Sequence, residues 1–259
     1  MAIDRDRALA IQRTALADFA RAMSAASEDA RLFERDGVAA SGVPACPERS
    51  IPNSVAYRDT DALLSSLDEL ASFYEDAGVR AWTVWVPEFD REAAAGLEAA
   101  GSAYDGNPTA MVLDLTGFEP PDIGDLEWDA DGDAATLGDV NDRAYGHGPG
   151  EGYAPGMTQR PEGFRIYRAR VDGQVACVMG TMEHEGGDLG IYWVATVPEF
   201  RGRSLSKRLM TAALVDARER GFATSSLQAS SMGEPVYLRL GYEACFDLHL
   251  YERRAGAVT

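Results

Sequence analysis

Apolar residues recur along this chain with two periods, and the switches between them mark out its elements. The clearest passage begins at Gly190. Ile191 to Val197 is rich in β-branched and aromatic residues and reads as a strand closed by Pro198 and Glu199. After a short turn, Leu205, Leu209, Met210, Ala213, Leu214 and Ala217 fall on one helical face, and Gly221 ends that helix. Phe222 to Gln228 predicts a second strand. A short helix comes next, with Pro235 near its start and Gly241 just past its end, and then a last strand.

The same grammar governs the preceding residues. Residues 3–26 predict a helix with Leu9, Ile11, Ala15, Leu16, Phe19 and Met23 tending to one side. Leu32-Phe33 and Gly37-Val38 read as short strands, and Pro44, Pro47 and Pro52 keep residues 43–52 irregular. Residues 53–58 predict a strand, and Asp59-Thr60-Asp61 cap a helix running through Leu63, Leu67, Leu70 and Tyr74 to Gly78. Residues 81–86 and 109–115 read as strands on either side of a helix over 90–100 that Gly101 ends. After Pro120-Pro121, a strand near 126–128 and a helix over 134–145 are expected. Residues 147–153 read as a glycine-rich loop, either of the kind that borders substrate sites or a mobile linker. Strands over 164–171 and 174–183 flank the hairpin turn Asp172-Gly173, and Gly186-Gly187 turns into the Gly190 strand.

A repeat emerges from this order. Strand, helix, strand, helix, strand occurs in both halves, with the two helix-ending glycines 23 residues apart in the first (Gly78, Gly101) and 20 in the second (Gly221, Gly241). Ordinary alternation in an α/β domain is the competing explanation. The division expected is a first module over residues 1–118, a linker over 117–124 and a second module over 125–259.

Composition narrows the classes of function. The chain has 259 residues and a formal net charge of −18, which argues against nucleic acid as a partner. No apolar run approaches membrane-spanning length, and Asp4, Arg5, Asp6 and Arg7 interrupt any leader-like start. The three cysteines, Cys46, Cys177 and Cys245, lie far apart without metal-like spacing. A cytoplasmic protein with reduced thiols and no metal is expected.

Against that acidity, Arg201, Arg203, Lys207 and Arg208 crowd one helix start, and Lys207 is the only lysine in the chain. The first amides of a helix lack intrahelical acceptors and the macrodipole adds positive charge there, so an anion is favoured. The turn is neither the ATP-binding loop nor the dinucleotide fingerprint. Solvated charges beside a capping Ser204 would give the same residues.

The whole stretch resembles the GNAT superfamily of acyl-CoA-dependent N-acyltransferases. There a strand leads into Arg/Gln-x-x-Gly-x-Gly/Ala and a helix, then a strand and a helix bearing Leu-Tyr-x-x-x-Gly-Phe. The matching residues are Arg201-Gly202-Arg203-Ser204-Leu205-Ser206 and Val236-Tyr237-Leu238-Arg239-Leu240-Gly241-Tyr242. Ser204 and Ser206 replace small family residues, and Ser230 stands where many members have asparagine. Serine at a turn position needing positive φ would be strained. The fold implied is α/β (α+β by some schemes): a mixed, mostly antiparallel central sheet flanked by helices, with two GNAT-like modules in tandem.

The resemblance implies an N-acetyltransferase that moves an acyl group from acetyl-CoA, as co-substrate, to a primary amine of a small molecule by direct attack. The pantetheine arm would lie beside Val194, Ala195 and Thr196, and the pyrophosphate on Arg201, Gly202, Arg203, Ser204, Leu205, Ser206 and Lys207. Tyr237 would protonate the leaving thiolate. Glu183, in the cluster Glu183, His184, Glu185 and Asp188, is the candidate base, ahead of His147 and His249. The first module carries Arg58-Asp59-Thr60-Asp61 at the corresponding turn and Leu97 at the tyrosine position, which suit scaffold and substrate-pocket duty rather than cofactor binding. A homodimer is compatible with this reading. A non-catalytic acyl-CoA sensor or an interaction module on the same fold is the alternative.

Overall fold

A computed structural model describes residues 3–148 and 150–255, so Pro149 of the glycine-rich loop lies outside the described residues. The first half comprises α1 (Arg5–Met23), β1 (Arg31–Arg35), β2 (Val38–Gly42), β3 (Ser54–Tyr57), α2 (Thr60–Ser65), α3 (Leu67–Asp76), β4 (Ala81–Pro87), α4 (Arg91–Ala99), β5 (Ala103–Gly106) and β6 (Thr109–Asp114). The second comprises β7 (Glu127–Asp129), α5 (Ala134–Tyr145), β8 (Phe164–Val171), β9 (Gln174–His184), β10 (Asp188–Thr196), α6 (Leu205–Glu219), β11 (Thr224–Ala229), α7 (Glu234–Leu238) and β12 (Glu243–Arg254).

Local chemistry sets these boundaries. Asp4 caps α1, Asp59 caps α2 and Asp133 caps α5, each carboxylate accepting from a backbone N–H three residues on. Asp172 and Gly173 both take positive φ, as a two-residue hairpin turn requires. The single helix expected over 59–78 is two, because the chain leaves helical hydrogen bonding at Ser66. The sequence pattern also missed β5, whose exposed Ala103-Tyr104-Asp105 shows no alternation.

The twelve strands among the described residues join one mixed sheet in the order β1-β2-β3-β4-β12-β6-β11-β10-β9-β8-β7, with β5 also pairing β12. Every ladder is antiparallel except β3·β4 and β10·β11, which occupy equivalent places in the two halves. The halves exchange their last strands. β6 leaves the first half to pair along all of β11 (Thr224 opposite Asp114, Ala229 opposite Thr109). In return β12 pairs β4, from Leu248 opposite Pro87 to Arg254 opposite Ala81. No strand precedes α1 among the described residues, whereas β7 precedes α5.

Helices cover both faces. Leu209, Met210, Ala213 and Leu214 of α6 pack on Met111, Met179, Leu189 and Ile191. In the first half, Leu63, Leu70, Tyr74 and Leu97 of α2–α4 pack on Val84, Val86 and Tyr251. On the other side, Leu16, Ala17 and Ala20 of α1 meet Trp85, Val112 and Leu248. Phe19 and Met23 of the same helix join the α5 cluster of Leu137, Val140, Ile166 and Val178. α1 therefore packs on both halves, and its buried Gln12 donates from Nε2 to the carbonyls of Met111 and Leu227, 3.2 Å each, a facing pair on β6 and β11.

The exchange makes each half incomplete alone. Deleting residues 1–118 strips β6 from β11 and α1 from the sheet, exposing an apolar strand edge of the sort that aggregates. Size-exclusion chromatography of the 125–259 fragment is expected to show aggregate. A well-behaved folded monomer would contradict the shared core.

Candidate active site

Where β10 and β11 run side by side, pairing is brief. Asp188, Leu189 and Gly190 face Thr224, Ser225 and Ser226, and from Ile191 onward the two strands share no ladder. β11 keeps its pairing with β6 through Ala229. β10 is diverted by a bulge, since Tyr192 faces Gly180 while Ala195, three residues on, faces Val178, two back. Trp193 sits in the bulge at φ +55°, a conformation that costs a bulky side chain on the order of 1–3 kcal/mol and that clusters at functional sites. Sequence reasoning missed this bulge; an aromatic residue gives no local sign of a left-handed backbone.

Two cavities open along the split. The first, about 350 Å³, is lined by Val194, Ala195, Thr196, Arg201, Gly202, Ser204, Leu205 and Ser206, facing Ser230, Gly233, Val236 and Tyr237. The second, about 630 Å³, lies between the halves. Phe19, Ile51, Trp85, Asn107 and Pro108 come from the first half, and Asn141, Tyr145, Tyr153, Trp193 and Gln228 from the second. Tyr145, Val194, Ser230 and Tyr237 line both.

The turn into α6 has the anion-holding form. Its first helical bond is Arg208 N–H to the Ser204 carbonyl, which leaves the amides of Leu205, Ser206 and Lys207 without intrahelical acceptors. Gly202 takes φ +79° with open space where a Cβ would stand. Ser204 is left-handed as well, at φ +56°, and its hydroxyl makes no capping hydrogen bond. Ser204 is therefore not the helix cap that its position suggests; it is a strained residue in a glycine's conformation.

The four cations divide. Arg201 donates to the carbonyls of Thr196 and Ala144, tying the end of β10 to the end of α5. Arg208 is held by the Ile123 carbonyl at 2.7 Å and Asp125 at 2.9 Å, so it anchors the linker. Arg203 lies over the Phe200 ring, 5.5 Å from its centroid. Among the described residues neither Arg203 nor Lys207 has a carboxylate partner, and both remain available beside the turn.

Tyr237 is carried by α7, which Gly241 ends at φ +96° while the Tyr242 N–H closes back on the Tyr237 carbonyl. Burial, with Tyr145 and Cys177 nearby, pushes its phenol well above the usual range, so it stays a proton donor at neutral pH. Glu183 is not brought to this place. It lines neither cavity, and its carboxylate is engaged by the Arg220 guanidinium. The cluster around it is split: Glu183 and Glu185 are exposed, whereas His184 and Asp188 are buried. His184 Nδ1 lies 2.8 Å from an Asp18 carboxylate oxygen, and its Nε2 lies 2.9 Å from the Tyr192 hydroxyl. Asp188 accepts from Thr224 and Ser226 at 2.8 and 2.6 Å, joining β10 to β11 at the point before they part. His249 packs edge-on against Tyr104 and lines neither cavity. His147 lines the larger cavity and meets Arg49 at 3.1 Å.

The equivalent split in the first half, between β3 and β4, is nearly closed: the cavity lined there by Gln12, Ala56, Tyr57 and Trp85 holds about 10 Å³. Its helix start is satisfied from within, Asp59 accepting from the Ala62 N–H at 2.8 Å. At the place of Tyr237, Leu97 is fully buried.

The second half thus combines a sheet that parts at its parallel ladder with a helix start whose first amides are free at the split. Residues 163–245 match the family model described as an acetyltransferase (GNAT) domain, the superfamily whose motifs the sequence of this stretch resembles. A GCN5-related N-acetyltransferase from Kribbella flavida is similar over 100% of this chain and 98% of its own, at TM-score 0.66 and 15% identity. A tandem GNAT protein from the clavulanic acid biosynthesis pathway is similar over 99% and 98%, at TM-score 0.59 and 15% identity. A GCN5-related N-acetyltransferase from Sphaerobacter thermophilus covers 89% of this chain and 78% of its own, at TM-score 0.55 and 16% identity. No curated protein matches the sequence. Among the described residues no helix is long and apolar enough to cross a membrane, and no group of His, Cys, Asp or Glu could hold a metal ion.

The strain at Ser204 has a measurable consequence. Ser204→Gly removes a left-handed L-residue and is expected to stabilise the protein by about 1 kcal/mol. Urea denaturation checks it: an unchanged or lowered midpoint would contradict the strain.

Proposed function

We propose that the second half is an acetyl-CoA-dependent N-acyltransferase whose acceptor is a small-molecule amine bound between the halves. The observation that carries this is Tyr237 lining both cavities at their junction. The smaller cavity suits the cofactor arm. The unpaired edge of β10 at Val194–Thr196 offers strand-like hydrogen bonding to an extended chain, and the α6 amides with Gly202 offer a cradle for its pyrophosphate. Arg203 and Lys207 add charge beside that cradle.

In this reading the acceptor nitrogen attacks the thioester carbonyl from the larger cavity. Forming the C–N bond and breaking the C–S bond leaves a thiolate. Tyr237, held protonated by burial, gives that sulfur its proton. Nitrogen loses one proton, which restores the phenol through solvent. Among the described residues no carboxylate lines either cavity, so Glu183 is not offered again as the base.

Tyr237→Phe is expected to lower kcat roughly a hundredfold or more while leaving acetyl-CoA affinity unchanged. Steady-state thiol release and equilibrium binding measured together check it. Unchanged turnover would remove Tyr237 from the chemistry. Because the phenol's pKa is raised, its acidic form persists to higher pH. The rate should therefore not fall as pH passes about 10, where an unperturbed tyrosine ionises. An alkaline limb there would contradict the role.

A further inference from the structure

We infer that the larger cavity takes a flat aromatic amine that carries no charge at neutral pH. This rests on the acyltransferase reading above and narrows its acceptor.

The first ground is the composition of the cavity. A quarter of the chain is charged, yet no Asp, Glu, Lys or Arg lines this space. Its walls are instead Phe19, Trp85, Tyr145, Tyr153, Trp193 and Tyr237. Tyr153 and Trp193 have ring centroids 4.8 Å apart at 58°, and Phe19 stacks on Tyr192 at 5.0 Å. Aromatic walls of this kind favour a planar ring through stacked and edge contacts. A polyamine or an aminosugar loses the water around its charge on entering, and this cavity supplies no carboxylate to replace it.

Unpartnered polar atoms are the second ground. Trp85 Nε1, Trp193 Nε1 and Asn141 Oδ1 are buried without a hydrogen-bond partner, on three residues that line the cavity. Trp85 and Asn141 are more than nine-tenths buried. Buried donors and acceptors are ordinarily paired. These atoms are shut off from the cavity's open space, and a ring bearing an oxygen or nitrogen acceptor and an amine N–H would pair them as the side chains turn toward it.

The third ground is protonation. An alkylamine, with a pKa of about 10, arrives as an ammonium ion and must lose a proton before attack. The cavity holds no base placed for that. His147 is its one imidazole, and Arg49 can only donate, so the Nδ1 lone pair is taken and the ring proton lies on Nε2. An aromatic amine arrives with its nitrogen lone pair free and sheds its proton only after the C–N bond has formed. Asp142, behind the wall, is occupied by the Tyr153 and Ala154 N–H groups, and Glu88, Glu234 and Asp247 line a separate open hollow that meets the cavity at Asn107 and Ser231. Within it Glu234 accepts from Thr109, and Asp247 from Asn107 at 2.9 Å.

The test titrates the full-length protein, saturated with CoA, against 4-methoxyaniline and against spermidine. Tryptophan fluorescence is read, since Trp85 and Trp193 line the cavity. Saturable quenching by 4-methoxyaniline, at least about tenfold tighter than spermidine, is expected. Trp85→Phe, which keeps the ring and removes the indole N–H, should weaken it severalfold with CoA affinity unchanged. Ile51→Asp, which adds a carboxylate to the wall, should narrow the gap between the two ligands. Equal or tighter binding of spermidine, or no quenching by 4-methoxyaniline in protein that binds CoA, would overturn the inference. Failure of CoA itself to bind would instead count against the acyltransferase reading, and the amine titration without CoA would still decide the pocket's preference.

Discussion

The ladder between β6 and β11 is the constraint on which the rest of the structure depends. A parallel strand pair that separates must leave two unpaired edges, and unpaired backbone groups away from water are costly. Here β11 loses β10 after Ser226 but retains β6 along its whole length, as β10 retains β9, so each parted strand keeps one paired edge and turns the other to the groove. The strand that holds β11 in the sheet beyond the split therefore belongs to the other half of the chain. Gln12 reinforces the arrangement from α1 by taking up the Met111 and Leu227 carbonyls at the same level. The exchange of last strands joins the halves, holds the groove open and puts first-half residues on the wall of the larger cavity.

Strain is concentrated where that groove needs it. Trp193 and Ser204 are two of the three non-glycine residues with positive φ among the described residues; the third, Asp172, sits in a hairpin turn that calls for it. Trp193 throws β10 off its register, and Ser204 bends the chain into the start of α6. Such conformations persist only where the surroundings enforce them. At Trp193 the enforcement is visible, since Asn141 on α5 reaches its carbonyl and Tyr153 packs on its ring. The first half relaxes the same plan: Asp59 caps its own helix and the split between β3 and β4 closes to almost nothing.

Much of this was legible in the sequence, for identifiable reasons. The hairpin at Asp172-Gly173, the helix over 134–145 and the glycine-ended helices arise from local rules that tertiary packing does not overturn. The turn at 201–207 and Tyr237 stand out in the sequence because two short motifs occur in the right order at the right spacing. The acidic group at 183–188 was not legible, because periodicity cannot say which carboxylate meets an arginine and which is buried under serine and threonine. Glu183 pairs with Arg220 across 37 residues, and His184 meets Asp18 across 166. The larger cavity was equally hidden. Its walls come from α1, β4, the approach to β6, α5 and β10, and only the strand exchange brings them together.

The most direct test of the central claim, that the parted strands hold an acyl-CoA, is calorimetric titration of the full-length protein with acetyl-CoA. Saturable one-to-one binding in the micromolar range, about −8 kcal/mol, is the expected result. Absence of binding heat, with the fold intact by circular dichroism, would contradict it.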